Sequence, residues 1–189
     1  MGNRLTKIYT RTGDNGTTGL ADGSRVAKSD VRFDAMGALD LLNAQLGMVR
    51  SLLADKPKFD DSLSMIQHVL FNLGGELAMP KYIGVTADHV MALETQIDTW
   101  NADLPPLKNF ILPAGSVACC QVHIARATAR DAERVLVRLQ TRDGDVSAAG
   151  LQFINRLSDY LFVLARVVSR LDGGQEVLWN TQVVTQPLS

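Results

Sequence analysis

Apolar residues recur at helical spacing through most of this chain, and that pattern limits the fold more than any other feature. In residues 33–53, for example, Met36, Leu39, Leu42 and Leu46 are three or four positions apart, which places them on one face of an α-helix. Four more such stretches follow, joined by short connections. The sequence therefore predicts an all-α fold, a five-helix bundle, formed by a single domain over residues 1–189.

Capping residues and helix breakers set the expected bounds of the other four helices. Thr86 and Ser116 are predicted N-caps, Pro80 and Pro105 follow predicted C-termini, and "RDGD" and "DGG" are typical of turns after helices. The tail "EVLWNT" is expected to be a short strand or an extended cover. The four helices are expected at residues 59–79, 86–104, 116–142 and 147–171.

One segment near the N-terminus, "YTRTGDNGTTG" at residues 9–19, cannot belong to a helix. It contains three glycines and four threonines. Glycine permits backbone conformations in which neighbouring N–H groups converge on an anion, while the hydroxyls and Arg11 add donors and charge. Residues 1–32 also hold six basic residues, Arg4 and Lys7 among them, against three aspartates. The segment is interpreted as an anion-binding loop, with a plain surface turn as the alternative.

The overall charge and the apolar runs exclude several classes of protein. A net charge of −1 argues against a general nucleic-acid binder. No apolar run approaches the roughly 20 residues of a membrane span, and the first residues lack the apolar core of a signal peptide. Cys119 and Cys120 are adjacent, which suits no disulfide framework. A reducing, cytoplasmic location is expected.

The predicted fourth helix carries two parallel stripes. The apolar one consists of Val122, Ala125, Ala129, Ala132, Leu136 and Leu139. The polar one consists of His123, Arg126, Arg130 and Glu133. A solvated face with internal Arg–Glu pairs is the ordinary interpretation of the polar stripe, but the small alanines beside it would also let another molecule approach. Asn155, in the fifth helix, is either a satisfied polar residue or a ligand contact.

Familiar catalytic motifs are missing from the sequence. The loop is neither a Walker A motif nor G-x-G-x-x-G, no Gly-x-Ser-x-Gly occurs, and no Glu-x-x-His is present for a di-iron site. The three histidines have no carboxylate or cysteine companion at zinc-ligand spacing.

Five segments, in order along nearly the whole chain, carry a family resemblance: "YTRTGDNGTTGL", "SRVAKSDVR", "NFILPAGS", "HIARATARDAER" and "INRLSDYLFVLARV". Together they resemble the PduO-type ATP:cob(I)alamin adenosyltransferases. The resemblance implies a five-helix bundle, usually a homotrimer, with the active site between adjacent subunits. It implies transfer of the 5′-deoxyadenosyl group of ATP to the cobalt of reduced cobalamin, with release of triphosphate. The glycine-rich segment would then be an ATP-binding loop.

Carried over position by position, the resemblance implies roles for individual residues. Arg126 matches an arginine that pairs across the subunit interface with an aspartate of helix one, here Asp40. Phe110 matches an aromatic residue that lies under the corrin ring, and is the expected cobalamin contact. With Arg130, these residues form the expected catalytic group. The expected ATP contacts are Thr10, Arg11, Thr12, Gly13, Asp14, Gly16, Thr17, Thr18, Lys28, Arg130, Glu133 and Asn155.

The sequence departs from the usual family pattern at three positions. Leu41 stands where a glutamate is common, Asp131 replaces a second arginine after Arg130, and Ala114 stands where glycine is usual. The first two changes remove or reverse charge near the expected site, so they bear on the affinity for ATP more than on the reaction.

The resemblance also implies partners and leaves two other functions open. Magnesium is expected with the nucleotide, held mainly by phosphate oxygens and water. A cobalt reductase and an adenosylcobalamin-dependent mutase are possible partners, whereas nucleic acid and membrane are not expected. One alternative is an ATP-responsive carrier that delivers adenosylcobalamin to a mutase with little turnover of its own. The other is a helical interaction module in which the loop has no catalytic part.

Overall fold

The computed structural model describes residues 8–79 and 81–184 and is mainly helical, as predicted. Arg4, Lys7 and Pro80, which entered the sequence predictions, lie outside the described residues. The five long helices are α1 (Val31–Leu52), α2 (Asp60–Ala78), α3 (Ala87–Ala102), α4 (Val117–Asp143) and α5 (Ala148–Ser169).

The structure corrects the predicted number of helices and adds a small sheet near the N-terminus. A short sixth helix, α6, covers Thr181–Val184, so the described residues contain one α-helix more than expected. Strands β1 (Thr17–Gly19) and β2 (Arg25–Ala27) pair antiparallel, with Thr18 opposite Val26. Gly23 turns the chain between them with a φ of 86°, a conformation that favours glycine. The glycine–threonine segment is therefore partly a hairpin and not wholly a loop.

Side-chain caps fix the ends of three helices. Ser116, a predicted N-cap, accepts a hydrogen bond from the backbone N–H of Cys119, and Ser147, at the expected start of the fifth helix, accepts one from the backbone N–H of Gly150. Helix α1 begins two residues before the predicted Phe33, because Asp30 caps it through the N–H of Arg32. Gly144 ends α4 in the left-handed conformation, with a φ of 72°.

The helices pack in the order α2, α1, α4, α5, α3 around one apolar core. The predicted apolar stripe of α4 forms part of this core and is fully buried. Tyr160 of α5 is buried, hydrogen-bonded to Ser62 of α2 and packed on Trp100 of α3. No helix among residues 8–79 and 81–184 is long and apolar enough to cross a membrane.

The two ends of the bundle carry different attachments. At the end where α1 begins and α4 finishes, Ala21 of the hairpin donates a backbone hydrogen bond to Ala78 of α2. At the opposite end, the predicted extended tail pairs with the connection between α3 and α4 through a bridge of Ile111 to Leu178. The bundle thus separates the glycine-rich segment from the segment that contains Phe110.

Candidate functional site

Arg25 of β2 organises the glycine–threonine segment. Its guanidinium donates to the carbonyl oxygen of Thr12 at 2.6 Å and to Oγ1 of Thr17 at 2.7 Å. Arg11 and Gly16 adopt φ values of 61° and 84°, so the chain turns twice through the left-handed region. Arg25 was not among the predicted site residues, because its position depends on a strand pairing that the sequence pattern does not predict.

Lys28 lies against the glycine-rich turn. A Cβ added at Gly13 would lie 3.2 Å from Nζ of Lys28 and 3.2 Å from the carbonyl oxygen of Thr17. The backbone N–H of Lys28 donates to the carbonyl oxygen of Gly16 at 2.9 Å. The structure therefore brings the predicted contacts Gly13, Gly16, Thr17 and Lys28 together, and a larger residue at position 13 would crowd the ammonium group and the carbonyl oxygen of Thr17.

Other residues of the segment bond to one another at the surface. The hydroxyls of Thr10 and Thr12 are 2.9 Å apart, and the guanidinium of Arg11 lies 5.5 Å from the ring centre of Tyr9. The backbone N–H of Asp14 donates to the carbonyl oxygen of Arg11 at 3.5 Å. These bonds give the segment a defined turn, with donors of both backbone and side chain on the surface.

The polar stripe of α4 shows no internal Arg–Glu pair among the described residues. Glu133 accepts a hydrogen bond at 2.7 Å from Nδ2 of Asn155 on α5. Arg130 is exposed and has no hydrogen-bond or ion-pair partner in the part of the chain that the structure describes. The expected internal Arg–Glu pairing is therefore wrong, and the guanidinium donors of Arg130 face solvent beside a Glu133 that is bonded to α5.

His123 and Arg126 form a buried polar contact one turn before Arg130. Nε of Arg126 donates to Nδ1 of His123 over 3.4 Å, and His123 is 5% exposed. Burial lowers the pKa of His123, and the positive charge of Arg126 lowers it further. Burial also lowers the pKa of Arg126, with a smaller contribution from Arg130. His123 is thus a neutral acceptor that orients the arginine.

Phe110 forms one wall of a cavity of about 550 Å³ that also contains His123 and Arg126. Its side chain is 79% exposed, so Phe110 is not part of the apolar core. Phe162 of α5 lines the same cavity. The convergence of His123 and Phe162 with Phe110 was not predicted from the sequence, because it depends on how three segments pack.

Asp40 lies on the exposed surface of α1, in an apolar groove between α1 and α2 that also contains Phe71. Its carboxylate has no hydrogen-bond or ion-pair partner among the described residues. The chain by itself does not bring Asp40 to Arg126, and their pairing across a subunit interface stays a prediction.

The bundle keeps the hairpin and the Phe110 cavity apart. Arg142 pairs with Asp30, next to the hairpin, whereas Arg126 lines the cavity. These two arginines are 16 residues apart on α4, which at 1.5 Å per residue corresponds to about 24 Å along the helix axis. Within one chain, the anion-suited turn and the aromatic cavity therefore lie toward opposite ends.

Comparisons with known proteins agree with this geometry. A family model described as cobalamin adenosyltransferase matches residues 8–168. The chain is 49% identical over 185 residues to the cobalamin adenosyltransferase of Cupriavidus metallidurans, covering 96% of this chain and 98% of that protein. It is 42% identical to the corrinoid adenosyltransferase of Mycobacterium leprae, covering 95% of this chain and 98% of that protein.

Solved structures give the same result. A variant PduO-type ATP:corrinoid adenosyltransferase from Lactobacillus reuteri, complexed with cobalamin and ATP, superposes with a TM-score of 0.87 at 34% identity. The match covers 93% of this chain and 97% of that one. Another variant of the same protein, complexed with ATP, gives a TM-score of 0.86 at 35% identity and covers 92% of this chain and 100% of that one.

Proposed function

The chain belongs to the cobalamin adenosyltransferase family, and from that premise we propose that it transfers the 5′-deoxyadenosyl group of ATP to the cobalt of cob(I)alamin. The observation that carries the proposal is the exposed Phe110 in a cavity with Arg126, one helical turn from the unpaired Arg130. The ring of Phe110 for the corrin and the guanidinium of Arg130 for the phosphates thus lie on neighbouring surfaces.

The proposed reaction is a nucleophilic substitution without a general base. The electron pair of Co(I) forms a bond to the ribose C5′ of ATP, and the C5′–O bond breaks with its electron pair leaving on triphosphate. The protein holds the two reactants in line and stabilises charge on the leaving oxygen. Arg130 suits that second task, because its planar guanidinium can make paired hydrogen bonds to phosphate oxygens.

Several backbone and side-chain donors of the glycine-rich turn are assigned to the ATP phosphates in this proposal. Lys28 adds a positive charge beside Gly13. No group of three or more His, Cys, Asp or Glu side chains comes together within residues 8–79 and 81–184 to hold a metal ion. A magnesium ion bound with ATP would accordingly be coordinated mainly by phosphate oxygens and water, with few protein ligands.

Phe110 is assigned to the lower face of the corrin ring. Cob(II)alamin with a nitrogen base on that face is harder to reduce, since axial ligands set the potential of a metal centre. An apolar ring in that position donates nothing to cobalt and excludes both the base and water. The four-coordinate Co(II) that results would accept an electron more readily.

A homotrimer with sites between subunits is part of the proposal. Asp40 has no partner within the described chain, and the turn and the cavity lie toward opposite ends of the bundle. A second copy would supply a partner for Asp40 and would bring the turn of one chain to the cavity of the other. A reductase, a mutase that uses the product, and a cytoplasmic location complete the proposal.

The deciding experiment is incubation of the purified protein with ATP and chemically reduced cobalamin. Formation of light-sensitive adenosylcobalamin, with one triphosphate released per Co–C bond over many turnovers, is the expected result. Tight binding of both ligands without repeated turnover would instead identify a carrier. Absence of binding would leave only an interaction module.

A further inference from the structure

Two segments without helical structure hold Phe110 in place. The backbone N–H of Trp179 donates to the carbonyl oxygen of Phe110 at 2.8 Å, and that of Leu112 donates to Val177 at 2.8 Å. Nδ2 of Asn109 donates to the carbonyl oxygen of Trp179 at 3.0 Å, and the rings of Phe110 and Trp179 meet edge to face at 6.4 Å. The position of Phe110 therefore depends on where the tail lies.

One buried arginine connects both of these segments to the bundle. Arg166 of α5 is 5% exposed; its Nη2 donates to the carbonyl oxygen of Pro105 at 2.6 Å, and its Nε donates to Oε1 of Glu176 at 3.1 Å. Pro105 begins the segment that leads to Phe110, and Glu176 precedes the residues that pair with it. Phe162, on the preceding turn of α5, lines the Phe110 cavity.

The Glu176 carboxylate is as buried as its partner, with a side-chain exposure of 6%. Burial opposes its ionisation, but hydrogen bonds from Arg170 and Arg166 outweigh that effect and lower the pKa of Glu176. A buried ion pair is weak evidence of stabilisation by itself, because desolvation offsets most of the attraction. Its geometric effect is specific here, since one guanidinium fixes two separate backbone segments.

We propose that Arg166 and Glu176 are positioning residues for the corrin site, which hold Phe110 against the cavity through the Pro105 segment and the tail. This inference rests on the proposed function, because it assumes that Phe110 contacts the lower face of cobalamin. The two residues touch neither substrate nor cobalt in this proposal. They act by fixing the backbone on both sides of the ring.

The test compares Glu176→Gln with the parent protein in two assays. Trypsin cleavage after Lys108, an exposed residue of the Pro105 segment, reports release of that segment without any ligand. The four-coordinate cob(II)alamin signal, measured with ATP bound, reports the position of Phe110. We expect cleavage after Lys108 to become about tenfold faster, as local opening becomes easier, and the four-coordinate signal to fall severalfold.

Two further variants separate positioning from general stability. Arg50→Gln removes an ion pair between α1 and α2 that does not touch the Phe110 segment, and should change neither assay. In the Phe110→Ala background, Glu176→Gln should reduce the four-coordinate signal no further, because both changes act through the same ring. Should Glu176→Gln fail to fold, Asn109→Ala loosens the same pairing from the exposed side and should give the same two changes.

A Glu176→Gln protein with a lower melting temperature but unchanged cleavage and unchanged cob(II)alamin signal would overturn the inference. So would faster cleavage with an undiminished signal, since Phe110 would then not depend on the segment. Failure of the parent protein to form adenosylcobalamin is a different outcome. It would reject the proposed function, and with it the assignment of these residues to a corrin site, while the Lys108 assay would still report on the segment itself.

Discussion

Asn155 on α5 donates from Nδ2 to Oε1 of Glu133 on α4 over 2.7 Å, and this bond occupies the acid next to Arg130. Arg130 has no bond to Glu133 among the described residues, and in the proposed function its guanidinium meets the triphosphate. If Arg130 paired only with Glu133 on the helix surface, that pair would contribute only about 0.3–0.5 kcal/mol to helix stability. Its loss would then hardly change the kinetics of the proposed reaction.

We expect Arg130→Lys to lower kcat/KM for ATP by roughly 10- to 100-fold, with part of the loss in kcat. Lysine keeps the charge but cannot make the paired hydrogen bonds that would strengthen as charge develops on triphosphate. Steady-state kinetics with preformed cob(I)alamin would measure this loss in kcat/KM. Arg134→Lys is the matched control, because Arg134 is an exposed arginine of the same helix that already pairs with Asp131. Its kcat/KM should stay near the parent value. Equal kinetics in both variants would remove Arg130 from the site.

Gly13→Val should raise KM for ATP about tenfold while leaving the melting temperature nearly unchanged. A branched side chain there would displace Lys28 Nζ and press on the carbonyl oxygen of Thr17. Gly19→Val is the control, since the nearest atom to a Cβ at that strand position is 3.9 Å away. ATP titration of both variants checks this expectation, and an unaltered KM in Gly13→Val would mean that the turn does not bind ATP.

Arg126→Ala and Asp40→Asn should both weaken the assembly, and the double variant should be no worse than either single one. A buried ion pair broken from one side can cost about 3–5 kcal/mol, because the remaining charge is stranded. Sedimentation across a dilution series would measure how far each variant weakens the assembly. Asp98→Asn, at an exposed aspartate of α3, serves as the control. Strictly additive effects would show that Asp40 and Arg126 never meet.

Phe110→Ala should still bind ATP but lose at least about tenfold in activity when cob(II)alamin must be reduced on the protein, with a smaller loss when cob(I)alamin is supplied. The four-coordinate Co(II) signal should shrink in parallel. Ile83→Ala, the control, removes an apolar side chain of similar exposure, 75%, which lines neither the groove of Asp40 nor the Phe110 cavity. If the signal in Phe110→Ala matches that of the parent, the ring does not contact cobalt.

The free energy of unfolding should decrease as the pH falls below about 6.5, and His123 should contribute to that loss. Its pKa is lowered in the folded chain, so the unfolded chain binds a proton first and acid favours unfolding. Urea unfolding of His123→Gln at pH 7.5 and pH 5 should show a smaller difference between the two values than in the parent. His68→Gln, at an exposed histidine, should leave the difference unchanged.

Helix positions could be predicted from the sequence because they depend on local signals. The spacing of Leu39, Leu42 and Leu46 and the caps at Ser116 and Ser147 depend only on residues within a few turns. The start of α1 was predicted two residues late, although Asp30 offered a capping signal. The hairpin was missed because three-residue strands give too short a pattern for its alternation to be recognised.

The candidate site was predicted mainly through family resemblance, and the structure adds contacts that no local pattern contains. The Asn155–Glu133 bond links residues 22 positions apart, and the bond from Arg166 to Pro105 spans 61 positions. Such contacts depend on how α4 and α5 pack and on where the tail crosses the bundle. The exposure of Phe110 could not be predicted from the sequence either, because its neighbours in sequence could equally surround a core residue.

The separation of the glycine-rich turn from the aromatic cavity within one chain has a genetic consequence. If sites form between copies, an organism carrying two differently damaged versions of the gene would assemble mixed oligomers. A version with Gly13→Val would still offer an intact cavity, and one with Phe110→Ala an intact turn. Some sites in the mixed oligomers would then combine an intact turn with an intact cavity, so the two defects would partly rescue each other. Two different changes within the turn would not do so.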